Sequence, residues 1–192
     1  MLSNPVIDNI HSRRSTRSFQ AKEVPSDILE TILDAAIWAP SGGNNQTWLF
    51  TAVTKPEIMK ALNAAGREAA KAYVPDDDYP GKQMVRKWGD NPDFKFTSAP
   101  VLIIASNRPN YENAMADCAL ALENMFLTAE SLGVGSCYIN APHWLRFDTG
   151  FRDFLFTLGI PKEHTICSSA AIGYIEKASP VPPRKDGTIR II

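Results

Sequence analysis

Asn113-Ala114-Met115-Ala116-Asp117-Cys118-Ala119-Leu120-Ala121-Leu122-Glu123-Asn124-Met125-Phe126-Leu127-Thr128-Ala129-Glu130-Ser131-Leu132 is the stretch on which the fold turns. From about Ala114 to Leu132 it reads as the longest helix of the chain. Asp117, Asn124, Thr128 and Ser131 share one narrow stripe, and nearly everything else is Ala, Leu, Met, Phe or Cys. A helix apolar over most of its surface is buried on most sides. In a chain of 192 residues that points to burial by a partner subunit as well as by the chain's own sheet. A central core helix in a monomer is the alternative.

The elements on either side define the class. Downstream, Gly133-Val134-Gly135 ends the helix, Ser136–Ile139 reads as a strand, and Asn140-Ala141-Pro142 as a loop. A helix over Phe151–Leu158 stops at Gly159, and a last strand covers Ile166–Ile175. The tail from residue 176 to 192 is extended, Pro-rich and cationic around Arg184 and Lys185. Upstream, the apolar run Val101–Ala105 after Pro100 is an interior strand. Residues 66–99 are polar, with Asp76-Asp77-Asp78 and Pro80-Gly81, and read as a variable excursion covering a pocket. Consecutive acids on such a turn are solvated surface more often than a metal site. Trp48–Thr54 reads as a buried strand, followed by a helix through Ile58, Met59 and Leu62. Near the amino terminus, Asn4-Pro5 opens a short helix, and Ser26 opens another that Pro40 closes. Helices mixed with non-adjacent strands, without βαβ alternation, make the class α+β, in a single domain over 1–192.

Bulk numbers exclude several functions. A hydrophobic content of 44% supports a packed core and argues against disorder. No apolar run approaches the roughly 20 residues of a membrane span, and no signal peptide is visible. The cysteines Cys118, Cys137 and Cys167 have no metal-ligand or disulfide spacing and read as reduced core residues of a cytoplasmic protein. His11, His143 and His164 are scattered, so no metal site is expected. A formal charge of −1 disfavours nucleic-acid binding, which needs a basic face across the domain.

Two polar stretches remain. Arg13-Arg14-Ser15-Thr16-Arg17 gathers three guanidiniums and two hydroxyls. Arg presents a planar fork of donors that fits phosphate oxygens, and Ser adds a shorter one. Extended backbone would set Arg13, Ser15 and Arg17 on one side, which makes a phosphate clamp; solvated surface is the alternative. Pro40-Ser41-Gly42-Gly43-Asn44-Asn45-Gln46-Thr47-Trp48 combines two glycines, which let backbone approach another group, with neutral amide and hydroxyl donors. An ordinary turn is the alternative. No Gly-Lys-Ser/Thr follows, so it is not a P-loop, nor is it a dinucleotide fingerprint.

Taken together, these segments resemble the nitroreductase family of flavin enzymes. The likeness rests on Arg13–Arg17, on Ala39–Trp48, on Leu132-Gly133-Val134-Gly135-Ser136-Cys137, and on Gly173-Tyr174 followed by Arg184, and so spans almost the whole chain. It implies a mixed sheet flanked by helices, in an intertwined homodimer with two FMN sites at the interface. By this resemblance Arg13, Ser15 and Arg17 hold the FMN phosphate, with Arg14 nearby and Arg184 completing the clamp. Pro40, Ser41, Gly42 and Asn44 of the partner line the flavin, and Ile139, Asn140 and Ala141 lie against its ring. Two positions depart from the commonest pattern: Thr47 stands where Pro is usual, and the residues after Tyr138 differ from those of the best-studied members.

The chemistry implied by the resemblance belongs to the cofactor. NADH or NADPH reduces the flavin and leaves, and a nitroaromatic, quinone or similar small-molecule acceptor then takes two electrons. No side-chain acid, base or nucleophile stands out, so no catalytic residue is named. Rival readings are a specialised reaction on the same scaffold, such as reductive dehalogenation, and a non-catalytic FMN-binding protein.

Overall fold

In a computed structural model, which describes residues 2–192, seven α-helices surround one four-stranded sheet. The chain runs α1 (Pro5–Ser12), α2 (Ser26–Ile37), a 3-10 turn (Gly42–Asn44), β1 (Leu49–Val53), α3 (Pro56–Ala72), α4 (Pro80–Gly89) and β2 (Val101–Asn107). It continues with α5 (Ala114–Ser131), β3 (Gly135–Tyr138), α6 (Ala141–Trp144), α7 (Thr149–Thr157) and β4 (Thr165–Gly173). The strands lie in the order β1-β2-β4-β3, and every neighbouring pair is antiparallel. Among the described residues, parallel pairing enters only as an isolated bridge, Ser15 to Ser136. The α+β class read from the sequence is the observed one.

β2 explains why its sequence is an unbroken apolar run. Leu102 and Ile104 point into a core built with Leu62 of α3 and Phe151 and Leu155 of α7. Val101 and Ile103 point the other way, onto Ile32 of α2 and Leu122 and Met125 of α5. A strand covered by helices on both faces has no polar side to alternate with. α5 accordingly buries Cys118, Ala121, Leu122, Met125 and Phe126, while Met115 and Leu120 stay 43% and 47% exposed. One chain therefore covers one side of this helix and leaves the other open.

Local rules account for several ends. The Asn4 side chain accepts the Ile7 N–H at 2.9 Å, and Gly133 leaves α5 at φ 70°, a left-handed value that favours glycine. One expectation gains detail and one is corrected. Within the 66–99 stretch α3 continues to Ala72 and α4 follows. Gly66 lets the Phe96 ring pack against α3, because a Cβ there would collide with it. Asn140-Ala141-Pro142 leads directly into α6, since proline is tolerated in a first turn. The acids before α4 are surface groups: Asp76 and Asp77 accept from Lys82 Nζ at 2.6 and 2.7 Å. This pairing lowers both carboxyls and raises the lysine.

Between α1 and α2 an arm of chain crosses the end of the sheet. Thr16 N donates to Ser136 O at 2.8 Å and Gln20 N to Tyr174 O at 2.9 Å. Phe19 bridges to Ile175 between them. The arm sets Arg13–Arg17 beside β3.

Candidate active site

Thr16 decides how the arginine cluster is displayed. It is buried against Gly135, where an added Cβ would lie 2.6 Å from Thr16 Oγ1. With Thr16 inward, Arg17 faces solvent and Ser15 is half-buried. Arg13 leans on α5, with Nε 3.4 Å from Glu123 Oε1 and its guanidinium 6.0 Å from the Phe126 ring centre. Arg17 has one weak acceptor, Ser15 O at 3.5 Å. Arg14 is different. Its Nη1 donates to His11 O at 2.7 Å and Arg13 O at 2.6 Å, so it caps the last carbonyls of α1, and its buried Nε has no partner. Three guanidiniums thus have a single carboxylate within 4 Å, Glu123, among the described residues. Cys137 of β3 lies in their field: burial pushes its thiol up, and the Arg17 and Arg13 charges oppose that.

The loop after α2 is built on left-handed backbone at Gly43, Asn44 and Gln46, with φ of 60°, 55° and 49°. Such values cost a side-chain-bearing residue strain unless bonds hold them. Here Asn44 N donates to Ser41 O at 2.9 Å and Gln46 N to Ser41 Oγ at 3.1 Å. The Asn45 and Gln46 amides donate to Gly42 O and Asn44 Oδ1 at 2.7 and 2.9 Å. Below, the buried carboxylate of Asp117 accepts from Gly42 N at 3.2 Å and from Tyr111 Oη at 2.8 Å. Gly42 O, 2.9 Å from Tyr111 Oη, is a second acceptor for the same O–H. Pro40 and Asn44 face solvent, and Ser41 and Gly42 are half-buried.

The loop is anchored at Asp117 of α5, whereas the arginine arm meets α5 at Glu123 and Phe126. Six to nine residues of helix separate these points by roughly 9–14 Å. One chain therefore brings Arg13, Ser15 and Arg17 together and holds Pro40, Ser41, Gly42 and Asn44 apart from them.

At the end of β3, both backbone groups of Ile139 are taken by Ser169: Ile139 N donates to Ser169 O at 2.8 Å, and Ser169 Oγ donates to Ile139 O at 2.6 Å. Asn140 O accepts the Trp144 N–H at 3.1 Å, and Ala141 is buried in the first turn of α6. His143 Nδ1 donates to Ile166 O at 2.7 Å, and burial pushes its imidazole down toward the neutral form. Arg184 lies exposed in the tail, without an ion pair or hydrogen bond among the described residues. The start of the tail does return to the cluster, because Ser179 Oγ donates to Ser15 O at 2.8 Å.

Comparison with known proteins gives this arrangement a family. The pattern of the nitroreductase family matches residues 10–174. The chain belongs to the nitroreductase family. A crystal structure of a nitroreductase with bound FMN from Bacteroides fragilis superposes with a TM-score of 0.91 at 37% identity, covering 99% of this chain and 100% of that one. A 4-nitrobenzoate reductase of Pseudomonas putida is 26% identical over 90% of this chain and 86% of its own length. An iodotyrosine deiodinase of Thermotoga neapolitana is 23% identical over 95% of each.

Within this nitroreductase fold the residues present suit a phosphorylated, planar cofactor. The arm offers guanidinium and hydroxyl donors at Arg13, Ser15 and Arg17 that its own chain satisfies only in part, and the Ile139 backbone is held at both its polar groups by Ser169. Sequence reasoning missed Asp117 and Tyr111 as the lock on Gly42, Ser169 as the support of Ile139, and the α1-capping role of Arg14. The polar stripe of α5 held the one available signal: Asp117 and Asn124 point inward to the loop and to Ala35 O, where a solvent-facing stripe would also read as polar.

No helix among the described residues is long and apolar enough to cross a membrane. Nor, among them, does any group of three His, Cys, Asp or Glu side chains converge as a metal site would.

Proposed function

We propose that this nitroreductase-family protein is an FMN-dependent oxidoreductase that takes electrons from NADH or NADPH and passes them to a conjugated small-molecule acceptor such as a nitroaromatic or quinone. The observation that carries the reading is the under-neutralised trio Arg13, Ser15 and Arg17 beside β3. Its donors match a phosphate monoester, and Arg184, reached through the tail pinned at Ser15, adds a further cation. Bound FMN supplies reversible two-electron chemistry at its ring. In this reading Arg13, Ser15 and Arg17 would fix the phosphate, and the Ile139–Ala141 segment would line the ring.

The reading includes a homodimer. Its support is the open apolar side of α5 at Met115 and Leu120, together with exposed Val6 and Ile10 of α1 and Ile37 and Trp38 at the end of α2. A second copy packed on α5 would cover such side chains and would bring its Ser41–Asn44 loop to the clamp. The relative named iodotyrosine deiodinase favours one alternative on the same scaffold, reductive dehalogenation, in which α3–α4 acts as a lid specific to the substrate.

The test is the visible spectrum of the purified protein, repeated anaerobically with NADH and with NADPH. Flavin bands that bleach with either nucleotide are expected, followed by recovery on adding a nitroaromatic. Flavin bands that persist would reject the reductase reading, and a colourless protein that refuses added FMN would reject the clamp.

A further inference from the structure

We propose that the cleft between α3 and residues 92–100 is a second binding site, made for a small amphipathic carboxylate: a flat apolar body carrying one anionic end. The cleft holds about 730 Å³, within the range of small-molecule sites. Arg13–Arg17, the Ser41 loop and residues 139–141 supply none of its walls. The proposal stands on the cleft alone and does not depend on the flavin reading.

One wall is a single face of α3, because Met59, Asn63 and Arg67 recur at the four-residue spacing of neighbouring turns. The opposite wall carries Phe94, and Pro100 closes one end. Met59, Phe94 and Pro100 offer apolar surface that a free inorganic anion would not use. The polar groups are few and specific. Asn63 is only 8% exposed, and its Oδ1 accepts the Phe96 N–H at 3.0 Å, which leaves its amide NH₂ as a donor.

Arg67 is short of acceptors. Its Nη1 donates to Pro92 O at 3.1 Å, and its Nε is shut from solvent without a partner. The nearest carboxylate, Glu68, is 3.7 Å from Nη2 and is already held by Lys71 Nζ at 2.8 Å. Lys60, Lys95, Glu23 and Asp93 also line the cleft, so with Arg67 the lining carries one net positive charge. A donor amide, a guanidinium with a single hydrogen bond and apolar walls together fit a carboxylate on an apolar ring.

The experiment titrates the full-length protein, with whatever flavin it retains, with 2-naphthoate, with the neutral 2-naphthamide, and with inorganic phosphate. Heat and tryptophan fluorescence are recorded. Trp88 stacks on Phe94, with ring centres 5.5 Å apart, and reports occupancy of the cleft. Naphthoate is expected to bind about ten-fold more tightly than naphthamide, and phosphate is expected not to displace it. Arg67→Gln should remove that preference and leave flavin content unchanged. Arg67 also ties down Pro92, so Ala64→Trp, at an exposed position on the same wall, is the independent variant. It should abolish binding of both naphthyl probes with the fold intact. Equal affinity for acid and amide, displacement by phosphate, no response at millimolar probe, or binding that perturbs the flavin spectrum and ignores Ala64→Trp would each overturn the proposal.

Discussion

The Arg13–Arg17 arm and the Ser41–Gln46 loop are two polar segments that meet the same helix, α5, and they are finished to different degrees. In the loop, the Gly42, Asn44, Asn45 and Gln46 N–H groups all find acceptors within the chain, and the strained backbone is held before any ligand arrives. In the arm, Arg17 has one acceptor at 3.5 Å and Arg13 one ion pair with a half-exposed Glu123. The loop is a preorganised surface, which lowers the cost of binding. The arm is a set of donors completed from outside.

Substitutions should therefore separate the two regions by what they damage. The largest effect is expected from Arg13→Ala combined with Arg17→Ala. Losing two charge-assisted contacts of about 1.5–3 kcal/mol each should weaken FMN binding by two to four orders of magnitude. Unfolding of the flavin-free protein should hardly change. Flavin fluorescence titration and denaturant melts of the apo form measure both, and an equally large loss of apo stability would collapse the contrast. Gly42→Ala should act the opposite way: its Cβ would meet Tyr111 Oη at 2.5 Å and the Asn113 side chain. Overpacking of that kind should cost about 1–3 kcal/mol of apo stability, read as a lower denaturant midpoint.

A smaller shift is expected for Asp117→Asn, which turns one acceptor oxygen into a donor facing Gly42 N–H and Tyr111 O–H. A loss of about 1–2 kcal/mol should appear in the same melts, and Tyr111→Phe should recover part of it in the double variant. The smallest effect sharpens the comparison within the loop. Thr47 Oγ1 is buried without a partner, so Thr47→Val should raise stability by about 1 kcal/mol, seen as a higher melting temperature.

Much of this was legible in the chain because local chemistry was sufficient. Asn4-Pro5 caps and starts α1, Gly133 stops α5, and the run Val101–Ala105 announces a strand covered on both faces. α4 escaped because its apolar residues, Val85 and Trp88, are set among Lys82, Arg86 and Lys87 behind Pro80-Gly81. Its helical state rests on packing against α3 and on the stack of Trp88 with Phe94 and Trp144. α6 escaped because Pro142 reads equally as a turn or as the first turn of a helix. Arg14 could not be told from its neighbours: a flexible cation chooses between a ligand and the carbonyls of the preceding helix only once that helix has a direction.

By itself, the sequence determined the class of the fold, the family, and the identity of the polar segments, because caps, periodicity and donor types are properties of residues near one another in the chain. Tertiary structure alone decided which of those polar groups are spent and which remain free. Asp117 and Gly42 are 75 residues apart, and Ser15 and Ser179 are 164 apart. Whether such groups satisfy one another depends on the chain returning to the same place, a matter of packing around β2 and α5 that no local pattern encodes.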